Sequence, residues 1–218
     1  MIRSILLLLF VLYVNLLLSQ SADKGKFNFF LGTGTGLYSV QSNQNLNNNS
    51  AALPVQLNLD VSYFTHKQVS IGLEVLNQTF LNDEDPSTIK TISSGMLGIN
   101  INCHIINRRK SNVFIGASVG GFNFDYSVID STRGSLGGNG ELLANGIYNK
   151  FYIGLNKYIF AKRIGVRVKS GFINQSMQMN SLTINGNDHT SLGKKELEDW
   201  RIAMFGGFLD FGLVIRIK

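Results

Sequence analysis

Across 218 residues there are one cysteine, two prolines, three histidines and one tryptophan, and each scarcity removes a class of protein. A lone Cys103 rules out an internal disulfide. Three scattered histidines, His66, His104 and His189, beside a single thiol give no metal-ligand spacing, so neither a metal nor a cofactor is expected. Charged residues make up 16% of the chain, against roughly 25% in soluble domains, which leaves little material for an ordinary aqueous surface. The net charge of +6 is too modest for a nucleic-acid footprint, and no nucleic-acid partner is expected. Helical periodicity is missing too, apart from a short stretch at 194–199. With so few prolines, extended segments run nearly uninterrupted.

One long apolar run does exist, and it stands at the start. Residues 1–22 read MIRSILLLLFVLYVNLLLSQSA: a basic Arg3, an apolar run over 5–18 broken by Asn15, then small or polar residues. This is the plan of a secretory signal peptide, expected to be cut between Ser19 and Ala22. Its core is shorter than the about 20 apolar residues that span a bilayer, and no cysteine stands near the cut to take a lipid anchor. The remainder, 23–218, is expected to be one domain.

That remainder is written in period two. At 205–218, FGGFLDFGLVIRIK, one face takes Phe205, Gly207, Leu209, Phe211, Leu213, Ile215 and Ile217, and the other takes Gly206, Asp210, Gly212 and Arg216. Alternation of this length is the pattern of a strand. It returns at 26–40, 55–64, 69–80, 96–105, 113–126, 151–156 and 164–172. After Gly120 and Gly121 the aromatics Phe122, Phe124 and Tyr126 take the other phase, which predicts a bulge there. The GTGTG run at 32–36 lies inside a strand and opens no helix, so it is not a phosphate-binding loop.

Eight such segments are joined by connections that alternate in length. Stretches 41–53, 82–87, 128–145 and 180–199 are long, whereas 66–68, 107–112 and 162–163 are short turns. Outer-membrane barrels have short periplasmic turns and longer external loops. The expected fold is all-β, an eight-stranded antiparallel up-and-down transmembrane β-barrel with both termini periplasmic.

Amphipathic strands alone leave the sidedness open, because a soluble lipocalin-like ligand carrier would turn the same greasy face inward. Three features favour the membrane. Each greasy face repeats for about five positions, near the 9–11 residues of a tilted spanning strand. Aromatics gather near strand ends at Phe27, Phe29, Tyr63, Phe80, Tyr148, Tyr158, Phe160 and Trp200, where an interfacial belt is expected. The opposite face is rich in glycine, serine and asparagine, which suits an interior just wide enough for side chains.

The charges on that inward face are the candidate site: Asp60, Glu74, Arg167, Lys169 and Asp210, with Asn100 and Asn102 close to the same level. Unmatched charges in a narrow barrel cost several kcal/mol each, so these residues are expected to pair into a structural network, with Arg216 near the rim as a further base. A plugged polar interior follows, and not an open pore. A hydrolase can be drawn from Ser70, His104 and Glu74, which keeps an outer-membrane lipid-modifying enzyme as an alternative. The basic residues Lys67, Arg108, Arg109, Lys110, Lys162 and Arg163 share the expected periplasmic rim, within reach of lipid phosphates or an acidic periplasmic partner.

With GTGTGLYS at 32–39, eight alternating segments and the closing FGLVIRIK at 211–218, the chain resembles the small porin-like, OmpA/OmpX-type outer-membrane β-barrel family over 26–218. The resemblance implies a Gram-negative outer membrane, contact with its lipids and lipopolysaccharide, and assembly by the outer-membrane insertion machinery. It also implies non-enzymatic work through extracellular loops, or as a subunit of an envelope or secretion complex. The chain departs from the family pattern at its end: such barrels often finish on an aromatic, and this one finishes Ile217, Lys218.

Overall fold

The computed structural model of the chain describes residues 25–42, 50–81, 88–130, 139–160, 163–188 and 201–217. They form β1 (Phe27–Ser42), β2 (Ser50–His66), β3 (Val69–Leu81), β4 (Thr88–Asn107), β5 (Ser111–Asp130), β6 (Asn139–Phe160), β7 (Ile164–Ile184), the two-residue β8 (Asn187–Asp188) and β9 (Arg201–Ile217). No helix occurs among the described residues. From β1 to β7 each strand pairs antiparallel with the next, β7 pairs with β9, and β9 closes on β1. The eight long strands therefore make a ring, the up-and-down barrel that the alternation predicts. The short β8 folds back on the tip of β7 through Asn185 and Gly186, both at positive φ, as a two-residue hairpin turn requires.

Closure fixes which residues share a level. Stepping across paired residues from Asn28 through Ser62, Gly72, Asn100, Ser118, Lys150, Ile173 and Gly206 returns to β1 at Tyr38, ten positions beyond the start. That stagger in eight strands corresponds to a tilt of about 40°. Residues at one height therefore come from shifted positions on successive strands, and side chains far apart in register meet across the interior.

Burial alternates strictly along the strands. Leu31, Leu73, Ile99 and Phe211 are each more than half exposed, while the inward Phe30, Glu74, Asn100 and Asp210 are buried. An apolar surface continuous around the whole barrel is far beyond the patches that soluble monomers expose. The greasy face looks outward, which overturns the lipocalin-like alternative, since a soluble carrier needs that face inside.

The structure departs from the sequence expectations at several points. Pairing of β4 with β5 runs unbroken through Leu97↔Gly121 and Gly98↔Gly120, so no bulge stands at the two glycines. Phe122 and Phe124 keep the inward phase of Phe114 and Ser118; what changes there is the content of the interior and not the register. Irregularities lie instead at Phe64/His66, His104/Ile106 and Tyr158/Phe160, beside the short turns, and at Leu143/Ala144.

Strands also run into the expected loops. The ladder continues to Asp130 on β5 and resumes at Asn139 on β6, and β7 reaches Ile184. Of the aromatics assigned to an interfacial belt, Phe27, Phe29, Tyr63 and Phe160 are exposed, but Phe80, Tyr148 and Tyr158 are buried inside the barrel. The leader at 1–22, the acidic stretch 82–87, the helical stretch 194–199, and Lys162, His189, Trp200 and Lys218 lie outside the described residues.

Candidate functional site in the barrel interior

Three acids and four bases point into the half of the barrel nearer the short turns, the fourth base being Arg216 near the rim, whose guanidinium lies 3.8 Å from the Tyr158 ring. Asp60 on β2 and Glu74 on β3 are direct cross-strand partners, an unfavourable placement for like charges. Bases from the far wall separate them. Asp60 Oδ2 accepts from Arg167 Nη1 at 3.3 Å and lies 3.8 Å from Lys169 Nζ. Glu74 turns the other way: Oε2 accepts from Lys150 Nζ at 3.2 Å, and Oε1 accepts from Ser118 Oγ at 2.6 Å and from Tyr148 OH at 3.1 Å. Asp60, Glu74, Asp210, Lys150, Arg167 and Lys169 are each at most 2% exposed, so their charges are met by one another and not by solvent.

Asp210 on β9 is the register partner of Lys169, 3.9 Å away, and it accepts hydrogen bonds from Asn58 Nδ2 at 2.9 Å and from Gln56 Nε2. Those two residues belong to β2, so they reach Asp210 across β1. The residue between them is Gly34, paired with Gln56 on one side and Asp210 on the other. A Cβ at that position would run into the Asp210 carboxylate and the backbone of Leu209. The glycine run of β1 is therefore a clearance that lets β2 and β9 meet inside.

Aromatic faces shield the cations. The Arg167 guanidinium donates from Nε to Asn156 Oδ1 at 2.7 Å and lies 5.0 Å from the Phe30 ring. Lys150 Nζ sits 4.7 Å from Phe208, and Lys169 Nζ 4.9 Å from Phe30. Such contacts strengthen when the cation is out of water.

Toward the short turns a directed hydrogen-bond chain follows. Tyr152 OH donates to Asn102 Oδ1 at 2.9 Å, and Asn102 Nδ2 donates to Asn100 Oδ1 at 3.1 Å and toward Ser70 Oγ at 3.4 Å. Ser70 Oγ and His104 Nε2 are 2.9 Å apart, and His104 Nδ1 is 2.7 Å from Asn112 Oδ1. Because Asn112 Nδ2 donates to Asn107 Oδ1, its own Oδ1 accepts, which puts the imidazole proton on Nδ1 and leaves Nε2 to accept from Ser70. Asn107 Nδ2 ends the chain on the Lys67 carbonyl at 2.7 Å.

In the other direction polarity fades. Gln78 Nε2 donates to Tyr38 OH at 2.7 Å and to Gln56 Oε1 at 3.0 Å, and its Oε1 accepts from Gln175 and Ser94. Beyond this neutral girdle lie Phe80, Phe122, Phe124, Met177, Met179 and Met204, packed as one apolar cluster. The interior is therefore not uniformly small and polar, as the alternating faces predict.

All seven interior residues singled out from the sequence are buried. Asp60, Glu74, Arg167, Lys169 and Asp210 meet in the charged layer, whereas Asn100 and Asn102 join the serine-histidine chain. Glu74 does not join Ser70 and His104; the third member is Asn112. Lys67, Arg108, Arg109, Lys110 and Arg163 are exposed on the short-turn rim, and Lys162 lies outside the described residues. Sequence alternation does not single out Lys150, Ser118 or Tyr148 for the charged layer, although Lys150 continues the inward phase of Tyr152, Gly154 and Asn156.

The closed ring and its apolar exterior define a transmembrane β-barrel. No family model matches the chain, and no curated protein does. Among solved structures, the fold is similar to that of a major outer membrane protein from Thermus thermophilus, with TM-score 0.54, 10% identity, and coverage of 88% of this chain and 99% of that one. It is similar also to the outer membrane protein OprG from Pseudomonas aeruginosa, with TM-score 0.52, 13% identity, and coverage of 91% and 98%. The fold is that of the small outer-membrane β-barrel proteins, and it implies a membrane environment.

Proposed function

We propose that this chain is a plugged outer-membrane barrel, with its short turns and termini on the periplasmic side. It acts without enzymatic chemistry, through its loop-side rim or as a subunit of an envelope or secretion complex. The observation that carries this reading is the interior, where Asp60, Glu74 and Asp210 are met by Lys150, Arg167 and Lys169 beneath a cluster of phenylalanine and methionine side chains. An eight-stranded barrel filled in this way leaves no aqueous path. The basic short-turn residues then face lipid phosphates or an acidic periplasmic partner, the other rim faces lipopolysaccharide, and assembly falls to the insertion machinery. Reconstituted in a planar bilayer, the protein should give no conductance steps while keeping the gel-mobility difference between unboiled and boiled samples that marks a closed barrel. Steady conductance from such a sample would overturn the plugged reading.

A second reading, a lipid-modifying enzyme, draws on Ser70, His104 and Asn112, whose order is that of nucleophile, base and orienting group. Against it stands their enclosure: Ser70 and Asn112 have no exposed surface, and the Phe64 ring lies 4.5 Å from the imidazole. Altered envelope lipids in a deletion strain, restored by the wild type but not by His104→Ala, would establish the enzyme. Equal restoration by both would remove it.

A further inference from the structure

The lipid-facing side of β3 to β6 is not uniformly convex. Ala117 on β5 lies between Ile101 of β4 and Phe151 of β6, its register partners. One turn of the pleat nearer the short turns, Val69, Cys103 and Ile115 form the next row. The small side chains of Ala117 and Cys103 between large neighbours leave a groove of about 400 Å³ lined by these six residues together with Asn102, Gly116 and Tyr152. Its lining is almost wholly apolar, so in a bilayer it takes hydrocarbon.

Below the groove the chemistry changes sign. The outward column of β6 runs Phe151, Ile153, Leu155 and then Lys157, all exposed. Lys157 is paired with Ser111, the residue after the exposed Arg108, Arg109 and Lys110, and Tyr158 N donates to the Lys110 carbonyl at 2.9 Å. Four cations thus gather at the foot of the groove, on a turn tied to the neighbouring strand. No Asp or Glu accompanies them among the described residues of that rim. A lysine on the lipid face is tolerated near the interface, and its stem lies along apolar surface while its head seeks an anion. From Phe151 to Lys157 is about 20 Å of strand at 3.3–3.4 Å per residue. With the tilt this becomes about 15 Å of depth, half of a hydrocarbon core about 30 Å thick.

We propose that this groove and the cations at its foot bind one anionic glycerophospholipid from the leaflet on the short-turn side. An acyl chain lies over Ala117 and Cys103, and the phosphate meets Lys157 and the Arg108–Lys110 turn. The site goes beyond the plugged interior and rests, from the proposed function, only on the periplasmic placement of the short turns. It is tested by native mass spectrometry of the intact barrel titrated with phosphatidylglycerol and, separately, with phosphatidylcholine. The wild type should retain one phosphatidylglycerol with at least tenfold preference. Lys157→Gln combined with Arg109→Gln should bring the two lipids to parity, and Ala117→Phe should lower retention of both. Each variant is also run unboiled and boiled, so that a lost barrel is distinguished from a lost site; Lys157→Gln alone serves if the pair fails to fold. Equal retention of both lipids by the wild type, an unchanged preference in the Lys157 and Arg109 variant, or unchanged retention in Ala117→Phe overturns the proposal. A dimer cross-linked through Cys103 that excludes lipid overturns it as well, and assigns the groove to a second copy of the chain.

Discussion

The two halves of the barrel interior fill the same tube with opposite chemistry. Nearer the short turns, Asp60, Glu74 and Asp210 are held by Lys150, Arg167 and Lys169. Nearer the long connections, Phe80, Phe122, Phe124 and four methionines, counting Met96, pack without charge. In the charged half stability depends on partnership, because each group removed strands another in a medium that cannot solvate it. In the apolar half it depends on volume, which a flexible thioether can supply in many ways. The charged half also reports on register: Lys169 is level with Asp210 only in the observed pairing of β7 with β9, and a one-residue slip would turn it toward lipid.

The largest effect is expected from breaking one partnership. Lys150→Met leaves Glu74 buried with only Ser118 and Tyr148 as donors, and should cost about 3–5 kcal/mol in urea unfolding from lipid vesicles. Adding Glu74→Gln should recover most of that loss. If the double variant is as unstable as the single one, the charged half is held by packing, and its contrast with the apolar half disappears. A smaller effect, about 1–3 kcal/mol of overpacking, is expected from Gly34→Ala, because a methyl there must displace the Asp210 carboxylate that Gln56 and Asn58 hold. Its unfolding should respond to Asp210→Asn, whereas Gly154→Ala, whose nearest contacts are with the Phe114 ring, should not.

Much of this architecture is legible in the chain. Period-two faces give the strands, and the short turns give their order. The inward position of Asp60, Glu74, Arg167, Lys169 and Asp210 follows from phase alone. What phase does not show is who meets whom. Tilt carries Lys169 of β7 to Asp60 of β2, strands that share no ladder, and no local pattern encodes that meeting. Lys150 escapes notice because a strand begun at 151 stops one residue short of it, and Asn112 because it falls within the expected turn at 107–112. The apolar cluster is concealed for another reason. Phe122 and Phe124 inside the barrel look in sequence like lipid-facing residues after a change of phase, and only the unbroken pairing with β4 shows that the phase is constant.

The smallest effect belongs to the apolar half. Met177 is 2% exposed within that cluster, so Met177→Leu keeps nearly the same volume and strands no polar group. Exchanges of this kind usually cost less than about 1.5 kcal/mol. The comparison with Lys150→Met is then direct, since both variants place a similar apolar side chain at a buried inward position of the same barrel. A cost for Met177→Leu well below that for Lys150→Met, in the same vesicles and denaturant, assigns the difference to the stranded Glu74. Equal costs would mean that shape governs both halves, and that the ion pairs serve register alone.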